Sequence, residues 1–117
     1  MKVACDVKGT INGPKKKQVL KMLDIFAKAG YEITVWSNLY SYATEAVQDN
    51  NLRAQTSSKY SKTDWQCEGD ESKFFNFAIE DDRQQTYLAA KKFIWVDEIP
   101  EDLVQVEMFV KELLDGQ

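Results

Sequence analysis

Val3-Ala4-Cys5-Asp6-Val7-Lys8-Gly9-Thr10-Ile11 is the stretch on which the reading of this 117-residue chain turns. A short apolar strand delivers a carboxylate, Asp6, straight into a Gly-Thr loop. Open α/β sheets bind ligands beyond the carboxyl ends of their strands, so an acid at this place is a candidate reactive group. The first strand is read as residues 2–5.

Downstream, Asn12-Gly13-Pro14 reads as a helix entry, with proline pre-set for the first helical turn. Val19, Leu20, Leu23, Phe26 and Ala27 then fall on one helical face, and Gly30 closes the helix. Residues 31–36 are strand formers bounded by Gly30 and by Ser37-Asn38. A helix over residues 40–48 stops at Asp49-Asn50-Asn51, and Leu52-Arg53-Ala54 reads as a very short strand. Residues 55–72 are polar and aperiodic, with Trp65 and Cys67 as their apolar points, and read as a long loop over the site. Residues 74–79 form an apolar run that ends in Glu80, Asp81 and Asp82. A helix over 83–92, a strand over 93–96 and a last helix over 100–114 follow, the last with a buried stripe of Leu103, Val106, Phe109, Val110 and Leu113. This alternation predicts an α/β fold, a three-layer, doubly wound and mostly parallel sheet with helices on both faces.

The composition bounds the function. The length suits one domain, residues 1–117, with a core that needs no disulfide or structural metal. No apolar run approaches the roughly 18 residues of a membrane span, so no membrane partner is expected. A formal net charge of -4 argues against nonspecific attachment to nucleic acid. The chain contains no histidine, which excludes a serine-histidine triad, a cysteine-histidine pair and a His-ligated zinc. The N-terminal residues lack the pattern of an export signal, and Cys5 and Cys67 read as reduced thiols, so a cytoplasmic location is expected. Trp36 and Trp95 read as core.

Asp6, Ser37, Lys73 and the Asp81-Asp82 pair lie at or near strand ends, and a parallel sheet gathers those ends along one edge. In this order the segments resemble the four motifs of the haloacid dehalogenase-like (HAD) phosphohydrolases. The most specific part is Lys73-Phe74-Phe75-Asn76-Phe77-Ala78-Ile79-Glu80-Asp81-Asp82-Arg83, similar to the family's lysine, apolar strand and Asp-Asp-Arg. The resemblance covers nearly the whole chain and leaves no room for a cap domain. It implies a Mg²⁺-dependent phosphohydrolase that cleaves a phosphate monoester through an aspartyl-phosphate on Asp6. It further implies catalytic roles for Asp6, Lys8, Ser37 and Lys73, and a phosphate cradle of Gly9, Thr10, Ser37, Asn38 and Lys73. The implied Mg²⁺ ligands are Asp6, the Lys8 carbonyl, Asp81 and Asp82, with Asp6 and Asp82 foremost.

Lys8 departs from the pattern. It stands where the family carries a second aspartate, the residue that protonates the leaving group and then activates water. An amine with an ordinary pKa near 10.4 is a poor base at neutral pH. Two functions therefore stay open: a phosphohydrolase slowed by Lys8, and a degenerate relative that binds a phosphorylated ligand or a protein partner without turnover. An open, capless site favours a phosphorylated macromolecule, or a homo-oligomer in which a neighbour covers the crevice. Simpler readings exist residue by residue: Asp6 as a turn cap, Glu80-Asp81-Asp82 as an acidic helix start, and Lys15-Lys16-Lys17 as a solvated face or a positive lip.

Overall fold

The computed structural model describes residues 1–59, 74–85 and 90–117, and among them it has five strands and three α-helices. In chain order they are β1 (Lys2–Asp6), α1 (Lys16–Lys28), β2 (Glu32–Ser37), α2 (Tyr40–Asp49), β3 (Gln55–Ser58), β4 (Phe75–Glu80), β5 (Ala90–Trp95) and α3 (Leu103–Asp115). The strands form one sheet in the order β3-β2-β1-β4-β5, and every pairing is parallel. The α/β alternation expected from the sequence is therefore present, with a wholly parallel sheet. No described helix is long and apolar enough to cross a membrane.

Successive strand side chains point to opposite sheet faces, and this alternation sorts the core. Val3, Cys5, Ile33, Val35, Phe77, Ile79 and Ile94 share one cluster with buried residues of all three helices. Ala4, Trp36, Phe75 and Ala78 form a second cluster that takes no residue from a described helix. Residues 60–73 and 86–89, which connect β3 to β4 and β4 to β5, lie outside the described residues. The register pairs Asp6 with Trp36, Cys5 with Ile79, and Ser57 with Trp36. Asp6, Trp36 and Glu80 consequently project from the same face at the carboxyl end of the sheet.

Several elements differ from the expectation. The buried stripe of α1 is Val19, Met22, Leu23 and Phe26, whereas Leu20 is half-buried and Ala27 exposed, a rotation of the face by part of a turn. Phe26 meets Tyr31 and Phe77 with ring centroids 5.3 and 5.2 Å away, which sets that face against the centre of the sheet. Gly30 ends the helix at φ 89°, a left-handed conformation that glycine adopts without penalty. The third strand is Gln55–Ser58, not Leu52-Arg53-Ala54. Its residues are half-buried or exposed because it is a sheet edge.

The helix expected over residues 83–92 is absent from both of its described ends, residues 86–89 lying outside the described residues. A 3-10 turn occupies Arg83–Gln85, and Ala90, Lys91 and Lys92 open β5. Alanine and lysine favour helices, but here β-pairing with β4 overrides that preference. Exposed lysines also suit an edge strand, which they protect against further pairing. The last helix begins at Leu103 because Asp102 caps it, accepting hydrogen bonds from the Val104 and Gln105 amides. Leu103, expected in the buried stripe, is 41% exposed.

Candidate functional site

The carboxyl edge of the sheet gathers a buried ionic cluster around one residue absent from the sequence-derived set, Lys59. β3 pairs with β2 up to Ser58, and the Lys59 amide continues the ladder by donating to the Ser37 carbonyl at 2.8 Å. Two residues beyond Ser57, its side chain returns to the Asp6 face. There Lys59 Nζ lies 2.8 Å from Asp6 Oδ1 and 2.7 Å from Glu80 Oε1. The Trp36 indole Nε1 donates to Glu80 Oε2 at 2.7 Å, and Lys59 Nζ sits 5.8 Å from the Trp36 ring centroid. Thr10 Oγ1 donates to Asp6 Oδ2 at 3.2 Å. Lys59 is 2%, Asp6 6% and Glu80 0% exposed, so these charges are compensated by each other and by Trp36 and Thr10 rather than by bulk water.

A cavity of about 400 Å³ opens above this cluster, lined in part by Asp6, Lys8, Ser37, Asn38, Asp81 and Asp82. Six residues expected at the site from sequence are thus brought together. Lys59, Leu39 and Tyr42 complete the lining. Thr10 is buried beside Asp6 and holds it from beneath. Gly9, with φ 78°, leaves the space that Asp81 occupies, for a Cβ at position 9 would fall 2.0 Å from Asp81 Oδ2. Lys73, Trp65 and Cys67, and with them the expected loop beyond Lys59, lie outside the described residues.

Asp82 has a structural role as well: its Oδ1 accepts the Gln84 amide at 2.9 Å. Asp81 is the carboxylate placed next to Asp6, close enough to raise its pKa. Lys15 reaches away from the expected lip and donates to the Ile99 carbonyl at the entry to α3. Arg83 forms an exposed two-pronged pair with Asp97, at 2.6 and 2.8 Å, joining the segments that follow β4 and β5.

Burial pushes Asp6 up to about 6, against the pull of Lys59 and with a further push from Asp81. Burial and the Asp6 charge likewise push Glu80 up to about 8, against Lys59 and the Trp36 N–H. Burial penalises the charged form of both acids, and among the described residues a single cation, Lys59, stands beside the two, so the pair retains a proton into the neutral range. Desolvation also holds the Cys5 thiol well above its usual value, which makes it a buried structural thiol rather than a nucleophile.

These shifts have a definite sign. Each acid has a higher pKa folded than in its ordinary range, so the folded state binds the additional proton and the associated stability is lost as pH rises. Stability is expected to fall as pH climbs from the ordinary carboxylate range through about 6 and then about 8. Glu80→Gln cannot accept from both Lys59 and Trp36 and should be less stable throughout, with the upper part of that fall removed. Thermal melts across this range check it; an unchanged slope in Glu80→Gln would assign the titration to another group.

Among the described residues no three Asp, Glu, Cys or His side chains converge as a metal-holding group. The donor set nevertheless suits a hard cation in part: two neighbouring carboxylates, Asp6 and Asp81, face one cavity with Asp82 on its lining. Lys59 and Glu80 were missed in the sequence for identifiable reasons. Gln55-Thr56-Ser57-Ser58 carries no apolar signal to mark a strand, and Glu80 is indistinguishable by type from the two acids that follow it. No protein-family model matches the chain, and comparison with curated proteins and with solved structures gives no match.

Proposed function

We propose that the protein is a Mg²⁺-dependent phosphohydrolase with a capless HAD-like core, acting on a phosphate monoester through Asp6. The observation that carries this reading is the convergence of Asp6, Ser37, Lys59, Asp81 and Asp82 on one cavity at the carboxyl edge of a parallel sheet. Lys59 supplies a cation beside Asp6, the part that the family resemblance gives to Lys73, which lies outside the described residues.

In this reading, an oxygen of ionised Asp6 attacks phosphorus as the P–O ester bond breaks, and the departing oxygen takes a proton from water in the open cavity and leaves as the alcohol. Water then attacks the phosphorus of the aspartyl-phosphate, regenerating Asp6 and releasing phosphate. Lys59 holds Asp6 in position and offsets charge on the transferred group, while Ser37 and Asn38 donate hydrogen bonds to its oxygens. Asp6 and Asp81, with Asp82 nearby, would hold Mg²⁺, whose charge would offset the repulsion between two anions.

Lys8 supports a second reading. It is exposed on the cavity and offers an anion a cation but no acid-base carboxylate, as suits a phosphate binder without turnover. Hydrolysis of a chromogenic aryl phosphate with and without Mg²⁺ separates the two. The enzyme reading expects Mg²⁺-dependent turnover that falls to the uncatalysed rate in Asp6→Asn. No turnover by the parent protein would leave the binder.

A further inference from the structure

A second cavity, of about 280 Å³, adjoins the first and shares Lys8 and Tyr42 with it. Val7 and Asn12 of the loop after β1 contribute to one side; Tyr42, Glu45 and Asp49 of α2 contribute to the other. The spacing 42, 45, 49 places the last three on one face of the helix. Tyr42, shared by the two cavities, is 44% exposed, and Leu39, on the lining of the first, is 51% exposed, so large apolar side chains meet water beside the junction. Each cavity is near the lower end of the size range that holds a small ligand, roughly 300–1,000 Å³.

We infer that the two cavities form one bipartite site, in which the first takes the phosphate and the second takes a planar, amino-bearing ring on the alcohol side of the ester, as in a nucleoside monophosphate. This rests on the phosphate reading given above. An exposed tyrosine ring at the junction offers a stacking face to a flat group. The carboxylate oxygens of Glu45 and Asp49 accept hydrogen bonds, and Asn12 both donates and accepts, so a ring edge that presents N–H donors complements this lining. An acidic alcohol portion would be repelled by the same two carboxylates, and a small polyol would leave Tyr42 and Leu39 uncovered. Lys8, at the junction, is positioned to span the ester and neutralise the phosphate from the side away from Lys59.

Calorimetry on the full chain with Mg²⁺ tests this, using inorganic phosphate, glycerol 3-phosphate and adenosine 5′-monophosphate as probes. The nucleotide is expected to bind about fivefold or more tighter than glycerol 3-phosphate, the advantage of a single stacked base. Tyr42→Ala should remove that preference and Tyr42→Phe should keep it; because Tyr42 also lines the first cavity, the readout is the ratio of the two ester affinities, in which any change in phosphate binding cancels. Equal affinity for the two esters, or a preference that survives Tyr42→Ala, overturns the bipartite site while phosphate binding keeps the first cavity's reading intact. Failure of all three probes to bind overturns both.

Discussion

Lys59→Met is expected to destabilise the protein by about 3–5 kcal/mol, the cost of breaking a buried ion pair by removing one partner. The substitution approximately preserves side-chain length and apolar volume, so what it removes is the ammonium that lies 2.8 Å from Asp6 and 2.7 Å from Glu80. Among the described residues, Glu80 then keeps one donor, the Trp36 indole, and no cation. Protonation offers partial relief, so the loss should be greatest at alkaline pH and smaller in acid. Adding Glu80→Gln to Lys59→Met should recover part of the stability at alkaline pH, where Glu80 would otherwise ionise in a buried place without its cation. Urea melts of the single and double variants measure this. A loss below about 1 kcal/mol in Lys59→Met would mean that the cluster is no tighter than an exposed pair.

On the phosphohydrolase reading proposed above, Lys8→Asp is expected to raise the rate of aryl phosphate hydrolysis by about 10² to 10⁴, the contribution of a positioned general acid-base group. Lys8 is exposed and lines the cavity that holds Asp6, so a carboxylate placed there meets the substrate side of the nucleophile without disturbing the core. It does not pair with Asp6; that place belongs to Lys59. The substitution therefore leaves the buried cluster intact and changes only what faces the leaving group. The gain should require Mg²⁺ and vanish when Asp6→Asn is added. A Lys8→Asp protein that folds, binds Mg²⁺ and hydrolyses no faster than its parent would show that the missing carboxylate is not limiting.

The contrast between these two lysines shows where sequence reading succeeds. Strands β1, β2 and β4 are apolar and centrally placed, so local pattern and tertiary burial agree, and Asp6, Ser37 and the Asp81-Asp82 pair could be placed at one edge. Lys59 follows a strand of four polar residues whose pairing is settled by backbone bonds to β2. Nothing in Gln55-Thr56-Ser57-Ser58-Lys59 reports that its last side chain turns inward. Glu80 shows the same limit from the other side: three acids in a row read as one group, yet alternation along β4 buries the first and exposes the next two. At β5, Ala90-Lys91-Lys92 satisfies helix propensity locally and is a strand only because β4 supplies a partner.

The loop after β1 has a thermodynamic consequence for any ligand. The Thr10 and Asn12 amides both donate to the Val7 carbonyl, Ile11 donates to Asp6, and Lys16 donates to Gly13. A Cβ at position 13 would fall 2.4 Å from the Gly9 carbonyl oxygen, so the coil closes on itself too tightly to admit a side chain there. The conformational entropy of this segment is spent when the protein folds. A ligand arriving at Asp6 need not immobilise it, and its affinity is spared the ordering cost that a slack phosphate loop would impose. Relaxing the coil would reverse this economy: a substitution at Gly13 should weaken binding through a more unfavourable binding entropy even where it touches no ligand.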